Sequence, residues 1–144
     1  MKKLILAFIF LPLISFSQNY DALFESAVNK FGYNNHYGAI TDLNKCIQIA
    51  DNKYQLGAAY GLKARCYYAR NEYSNALENI NIAINNDPNY ADYHHHRGLI
   101  KMKGDYPGFC NDFKKAASLG NEAARKIYKG FTSSPIIAKS MGCN

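Results

Sequence analysis

The sequence predicts an all-α fold: about three helical hairpins stacked into a solenoid and closed by a C-terminal capping helix. Three observations predict it. The segments HYGAITDLNKCIQI (36–49), EYSNALENINIAINNDP (72–88) and DYPGFCNDFKKAASLG (105–120) share one pattern of small and large apolar residues. Ala39, Leu43, Cys46 and Ile47 recur 37 residues later as Ala76, Ile80, Ala83 and Ile84, which recur 33 later as Phe109, Phe113, Ala116 and Ala117. Those spacings place one apolar stripe on a helix. A further helical stretch precedes each segment, with Ala27, Ala64 and Gly98 at matching places. Small residues recur there because two helix backbones approach closely.

The chain has 144 residues, enough for one modest domain. Residues 1–17 are expected to be a secretory signal. Met1-Lys2-Lys3 is a basic start, LILAFIFLPLI (4–14) an apolar run, and Ser15 and Ser17 are the small residues that a cleavage site needs. The run is shorter than the ~20 apolar residues of a full membrane span. An uncleaved N-terminal anchor is the alternative. No cysteine stands directly after the run, which argues against a lipid anchor. Cleavage after Ser17 leaves 15 Lys+Arg against 11 Asp+Glu and no membrane span. The remaining positive charge gathers toward the C-terminus, at Lys101, Lys103, Lys114, Lys115, Arg125, Lys126, Lys129 and Lys139. A solvated helix face explains such a stripe, and export argues against a nucleic-acid partner.

The first hairpin is expected over 18–53, the second over 54–89 and the third over 90–120. Asn71-Glu72 and Gly104-Asp105 mark turns between helices. Asp87-Pro88 ends the second unit, because proline cannot continue a helix and biases its predecessor away from helical geometry. The capping helix covers 121–131, with Ala123, Ala124, Ile127, Tyr128 and Phe131 on its apolar face. Residues 132–144, TSSPIIAKSMGCN, show no period and read as an irregular tail.

The second unit resembles the tetratricopeptide repeat (TPR), a 34-residue helical hairpin. Tyr60, Ala64, Tyr67, Tyr73, Ala76, Ile80, Ala83 and Pro88 match its eight signature places in order and spacing. The third copy keeps Gly98, Tyr106, Phe113 and Ala116, is one residue short in its first helix, and has Phe109 where Ala is usual. The first keeps Leu23, Ala27, Ala39 and Leu43 but has Cys46 for the last Ala and no closing Pro. LGNEAARKIYK also resembles the end of the related Sel1-like repeat, and the start ending in SFSQ resembles export signals of Bacteroidota bacteria. The resemblance implies a right-handed α-solenoid with a concave binding face.

In that family, four places of each first helix line the concave face. Carried over, they are Asp21, Phe24, Val28 and Phe31; Ala58, Gly61, Arg65 and Tyr68; and Asp92, His95, Leu99 and Met102. The partner-binding set the resemblance implies is therefore Phe24, Val28, Phe31, Arg65, Tyr68, His95 and Leu99. Such a surface grips a peptide through apolar anchors and one charge. The family's best-known peptide clamp holds a C-terminal carboxylate with Lys, Arg and Asn. The matching places here are Phe24, Val28, Leu62, Asp92 and His96, so that specificity is not carried over.

Four cysteines allow three full pairings, and spacing does not choose among them. Cys46 sits at a small-residue packing place and is expected to be a buried free thiol. GDYPGFC resembles the GDYxGAC of exported relatives that carry a second cysteine near the end. That likeness makes Cys110–Cys143 the first choice of bridge, worth ~3 kcal/mol by loop closure.

His94-His95-His96 invites a metal reading, but neighbours on a helix point about 100° apart and do not converge on one ion. His94 takes the place of a packing residue, His95 points into the groove, and His96 faces solvent or the next helix. Arg97 and Asp112 are expected to face each other within the third hairpin. No C-x-x-C, G-x-S-x-G, phosphate-binding glycine loop or H-E-x-x-H is present, so neither a cofactor nor catalysis is expected. The function expected is an exported scaffold that binds another protein or peptide. A structural subunit of an envelope or secretion assembly is the alternative. A metal protein or enzyme built on His94–His96 ranks last.

Overall fold

The computed structural model describes residues 15–143, so the expected signal segment lies almost wholly outside the described residues. Eight α-helices and no strand occur among those described: α1 (Ser15–Gly32), α2 (His36–Ile49), α3 (Lys53–Ala69), α4 (Tyr73–Asn86), α5 (Ala91–Lys103), α6 (Phe109–Ser118), α7 (Glu122–Thr132) and α8 (Pro135–Ser140). Each helix packs on the next in sequence, and α1 also meets α3, as α3 meets α5. The first helices of successive hairpins thus stand side by side in an inner row, with α2, α4 and α6 outside them. This is an α-solenoid of helical hairpins.

One turn is used again and again. Asn34, Asn71 and Asp105 adopt φ of 60°, 62° and 57° at the tips of the three hairpins. In each, the following residue closes a six-residue ring: Asn35 N–H donates to Lys30 O, Glu72 N–H to Tyr67 O, and Tyr106 N–H to Lys101 O. This satisfies carbonyls that a helix end leaves open. Asn and Asp visit the left-handed region more readily than other side chains do. The α6–α7 turn repeats it at Gly120, with Asn121 N–H donating to Ala116 O. Asn35, Asn52 and Asn121 cap α2, α3 and α7 through their side-chain oxygens.

The core runs as a chain of clusters rather than one centre. Tyr20, Ala27, Ala39, Leu43, Cys46, Leu62 and Cys66 fill the first. Ala64, Ala76, Ile80, Ala83 and Ile100 fill the second. Phe113, Ala116 and Ala124 fill the third, with Leu99, Met102, Ile127, Tyr128 and Phe131 around them. The recurring alanines are fully buried. Gly98 stands at the same kind of place, and a Cβ there would lie 2.8 Å from Phe113 Cε1. Burial pushes the free thiols of Cys46 and Cys66 up to about 11, leaving both un-ionised and unreactive at neutral pH.

One repeat position carries a buried polar group in every hairpin. Asp42, Asn79 and Asp112 are equivalent, and all three are buried. Asp42 accepts from Ser26 and Lys30, at 2.7 and 2.5 Å. Burial works to raise its pKa, but those hydrogen bonds outweigh it and hold the carboxyl below 3.8. Asp112 Oδ1 accepts from Arg97 Nε and Nη2 at 2.8 and 2.6 Å, and Lys101 Nζ lies 2.8 Å from Oδ2. Asn79 has no cation to serve and donates to Asn75 O instead.

The tail departs from the expected irregular 132–144. Pro135 starts α8 with a φ already suited to helix, and Cys143 is buried against Cys110 and Ala138. A disulfide joins Cys110 to Cys143, which lie 33 positions apart in sequence, with Cα atoms 5.2 Å apart. The bond holds α8 over Phe109 and Phe131, which a free tail of this composition would leave exposed. Closing that loop is worth at most ~4 kcal/mol. An unpinned tail can detach without unfolding the hairpins, so Cys143→Ser is expected to lower the melting temperature by only a few degrees. Hydrogen exchange over 135–143 should rise to nearly unprotected rates while α3 and α4 stay protected. Unchanged protection of α8 in the variant would contradict this account.

Candidate functional site: a recess on the inner row

The inner faces of α1, α3 and α5 meet at an open recess of ≈ 140 Å³ lined by Phe24, Ala58, Gly61, Arg65, Tyr90, Asp92, Tyr93 and His96. Its floor is made by an absence. A Cβ on Gly61 would stand 2.6 Å from Tyr93 Cε1, so only glycine lets the Tyr93 ring lie across α3. Tyr90 stands beside Tyr93, with ring centroids 4.5 Å apart, and Phe24 stacks on Tyr20 at 5.8 Å. Burial raises the Tyr93 phenol to about 12, so the wall stays neutral.

Arg65 is the exposed cation of this surface. Its guanidinium carbon sits 4.7 Å from the Phe31 ring centroid, close enough for the ring face to hold it. None of the ion pairs among the described residues engages it. Asp92 accepts from Asn121 Nδ2 at 2.7 Å through one of its two oxygens.

The three histidines separate, and two of the expected orientations need correction. His94 is buried, and its Nε2 donates to Pro88 O at 2.8 Å, tying α5 to the loop before it. His95 does not line the recess: its ring packs against Phe113, 5.9 Å away, and against His96. His96 lines the recess instead. The reason is helical register. Gly98 must meet Phe113, and His95, three residues earlier, shares that face, whereas Asp92 and His96, four apart, share the other. Among the described residues no group of His, Cys, Asp and Glu is arranged to hold a metal.

The other expected residues scatter. Phe24 and Arg65 belong to the recess, together with Ala58, Gly61 and Asp92 from the same set of places. Phe31 supports Arg65 from the side. Val28 is solvent-exposed, Tyr68 packs on Tyr73, and Leu99 turns into the last cluster, as does Met102. Sequence reasoning missed Tyr90 and Tyr93. Tyr93 lies next to a transferred place, and the two glycines of α3 that face it, Gly57 and Gly61, were its signal.

His96 gives the site a pH signature. Burial first, then the nearby charges of Arg65 and His95, push its pKa down to about 4 from 6.5. The folded chain therefore binds fewer protons than the unfolded chain between those values. The contribution of His96 to stability is full above pH 6.5, falls as pH drops toward 4, and levels off below. His96→Gln is expected to remove about 2 kcal/mol of that decline. Urea midpoints at pH 7 and 4.5 test it. An equal decline in the variant would place the sensitivity elsewhere.

Comparison with solved structures bears on the fold. The chain is similar to the TPR domain of Sgt2 from Aspergillus fumigatus, with a TM-score of 0.71 and 20% identity over 87% of this chain and 83% of that one. It is also similar to the first TPR of Spaghetti (RPAP3), solved bound to the HSP90 peptide SRMEEVD. That match has a TM-score of 0.70 and 17% identity over 88% of this chain and 95% of the other. No family model and no curated protein matches the sequence. The likeness establishes a TPR fold at identities that carry no function with them.

Proposed function

We propose that this chain is an exported, non-catalytic scaffold that takes a peptide segment of another protein into the recess of its inner row. One observation carries the reading: three successive first helices contribute to a single aromatic-walled recess, beside a cation with no ion-pair partner among the described residues. A segment laid across α1, α3 and α5 touches all of them at once, which is how a solenoid builds affinity from shallow contacts. The peptide complex of one neighbour supports this use of the fold. The basic, apolar and small-residue start supports export, and so does a disulfide, which persists in oxidising compartments. Among the described residues no helix is long and apolar enough to cross a membrane.

The test is a photo-crosslinking residue placed at Ala58 in the recess, with Glu78 on the outer helix α4 as control. Capture from native cells at position 58 but not at 78 is the expected result. Equal capture at both positions would refute a groove mode. One dominant partner at a fixed ratio would favour the assembly-subunit reading over an adaptor. Mass spectrometry of the N-terminus tests export directly, with a chain beginning at Gln18 expected.

A further inference from the structure

The recess carries information about what it recognises. Arg65 is exposed, fixed over Phe31, and has no carboxylate partner among the described residues. The lining's acid, Asp92, forms no ion pair with Arg65 and accepts from Asn121 through Oδ1. The remaining lining is aromatic or small: Phe24, Ala58, Gly61, Tyr90, Tyr93 and His96. A guanidinium presents a planar fork of donors that matches a carboxylate, and here the ring beneath it restricts how that fork turns. The places that would clamp a chain-terminal carboxylate instead hold Phe24, Val28, Leu62, Asp92 and His96, none of them a lysine or arginine.

We infer that the recess selects an internal Asp or Glu side chain flanked by a large apolar residue, the carboxylate on Arg65 and the apolar side chain against Phe24 and Tyr93. This rests on the groove reading above and specifies its partner chemistry. A basic segment laid over Arg65 meets a like charge, and a wholly apolar one leaves the guanidinium without a partner when the segment covers it. Losing a charge-assisted hydrogen bond of this kind weakens binding about ten- to a hundredfold.

The experiment is display selection of random twelve-residue peptides, embedded so that none presents a free C-terminus, on the folded protein and on Arg65→Glu. Arg65 is exposed, so the variant is expected to keep its fold, which circular dichroism checks. The expected result is enrichment of Asp or Glu next to Leu, Ile or Phe on the parent. The same position should turn to Lys or Arg on Arg65→Glu. A selected Glu peptide should bind at least tenfold more weakly after Glu→Gln, and Phe24→Ala should weaken it as well. Peptides that lose affinity in Phe24→Ala but show no acidic preference would overturn this inference and leave the groove reading standing. Peptides indifferent to both Phe24→Ala and Arg65→Glu, or no selected peptide at all, would overturn both.

Discussion

Phe113→Ala is expected to be the most damaging single truncation, costing about 3–5 kcal/mol. Phe113 is fully buried and joins three elements. Its ring lies under Gly98 and beside His95 on α5, beside Phe109 on its own helix, and 6.4 Å from Phe131 on α7. Gly98, Ala116 and Ala124 offer nothing to fill the space, so any refilling falls to the larger neighbours Leu99, Met102 and Ile127, which are already packed elsewhere in the cluster. The part of the cavity they leave sets the penalty. Thermal melts should show a drop of roughly 10–15 °C, given the entropy of unfolding of a domain this size. A shift of one or two degrees would mean that the third hairpin is far looser than its packing.

Asp112→Ala comes next, at about 2–4 kcal/mol. The carboxylate is buried while Arg97 and Lys101 reach solvent with about a fifth of their side chains. Removing the anion leaves two cations side by side without compensation, yet both can turn outward to water, which keeps the cost below that of a sealed pair. Arg97→Ala should cost less, because Lys101 still serves the carboxylate. The double variant Arg97→Ala with Asp112→Ala should reveal a coupling of about 1–3 kcal/mol. Strict additivity would show that the pair contributes geometry without energy.

Those two residues separate what could be read from the chain and what could not. The repeat phase put Phe113 at a core place and Arg97 opposite Asp112, because a fixed helical period converts spacing into direction. Burial of Asp112 and the arrival of Lys101 were not visible, since an ion pair's worth depends on how much water the packed neighbours remove. The same limit governs the recess. Phe24 and Arg65 followed from the family resemblance, whose groove places were carried over in the repeat register. His96 replaced His95 because the contact between Gly98 and Phe113 sets the roll of α5, and the third unit is a residue short where the pattern would have been read. Tyr93 entered because Gly61 lets it in, a relation between residues 32 apart.

The tail shows the division in its plainest form. Thirteen residues without a period hold no local signal that commits them to a place. Ser134-Pro135 allows a helix to start, but six residues do not sustain one in water, because nucleation costs more than one turn returns. What holds α8 is Cys143 beneath it and the Phe109 and Phe131 surface it covers. The sequence by itself determined the all-α class, the number of hairpins and the turns between them, because helical period, small residues at close approaches and turn chemistry are local. Only the tertiary structure decided which histidine meets the recess, which carboxylate is sealed and where the last residues lie. Those outcomes depend on the rotation of one helix against another and on the water excluded between them.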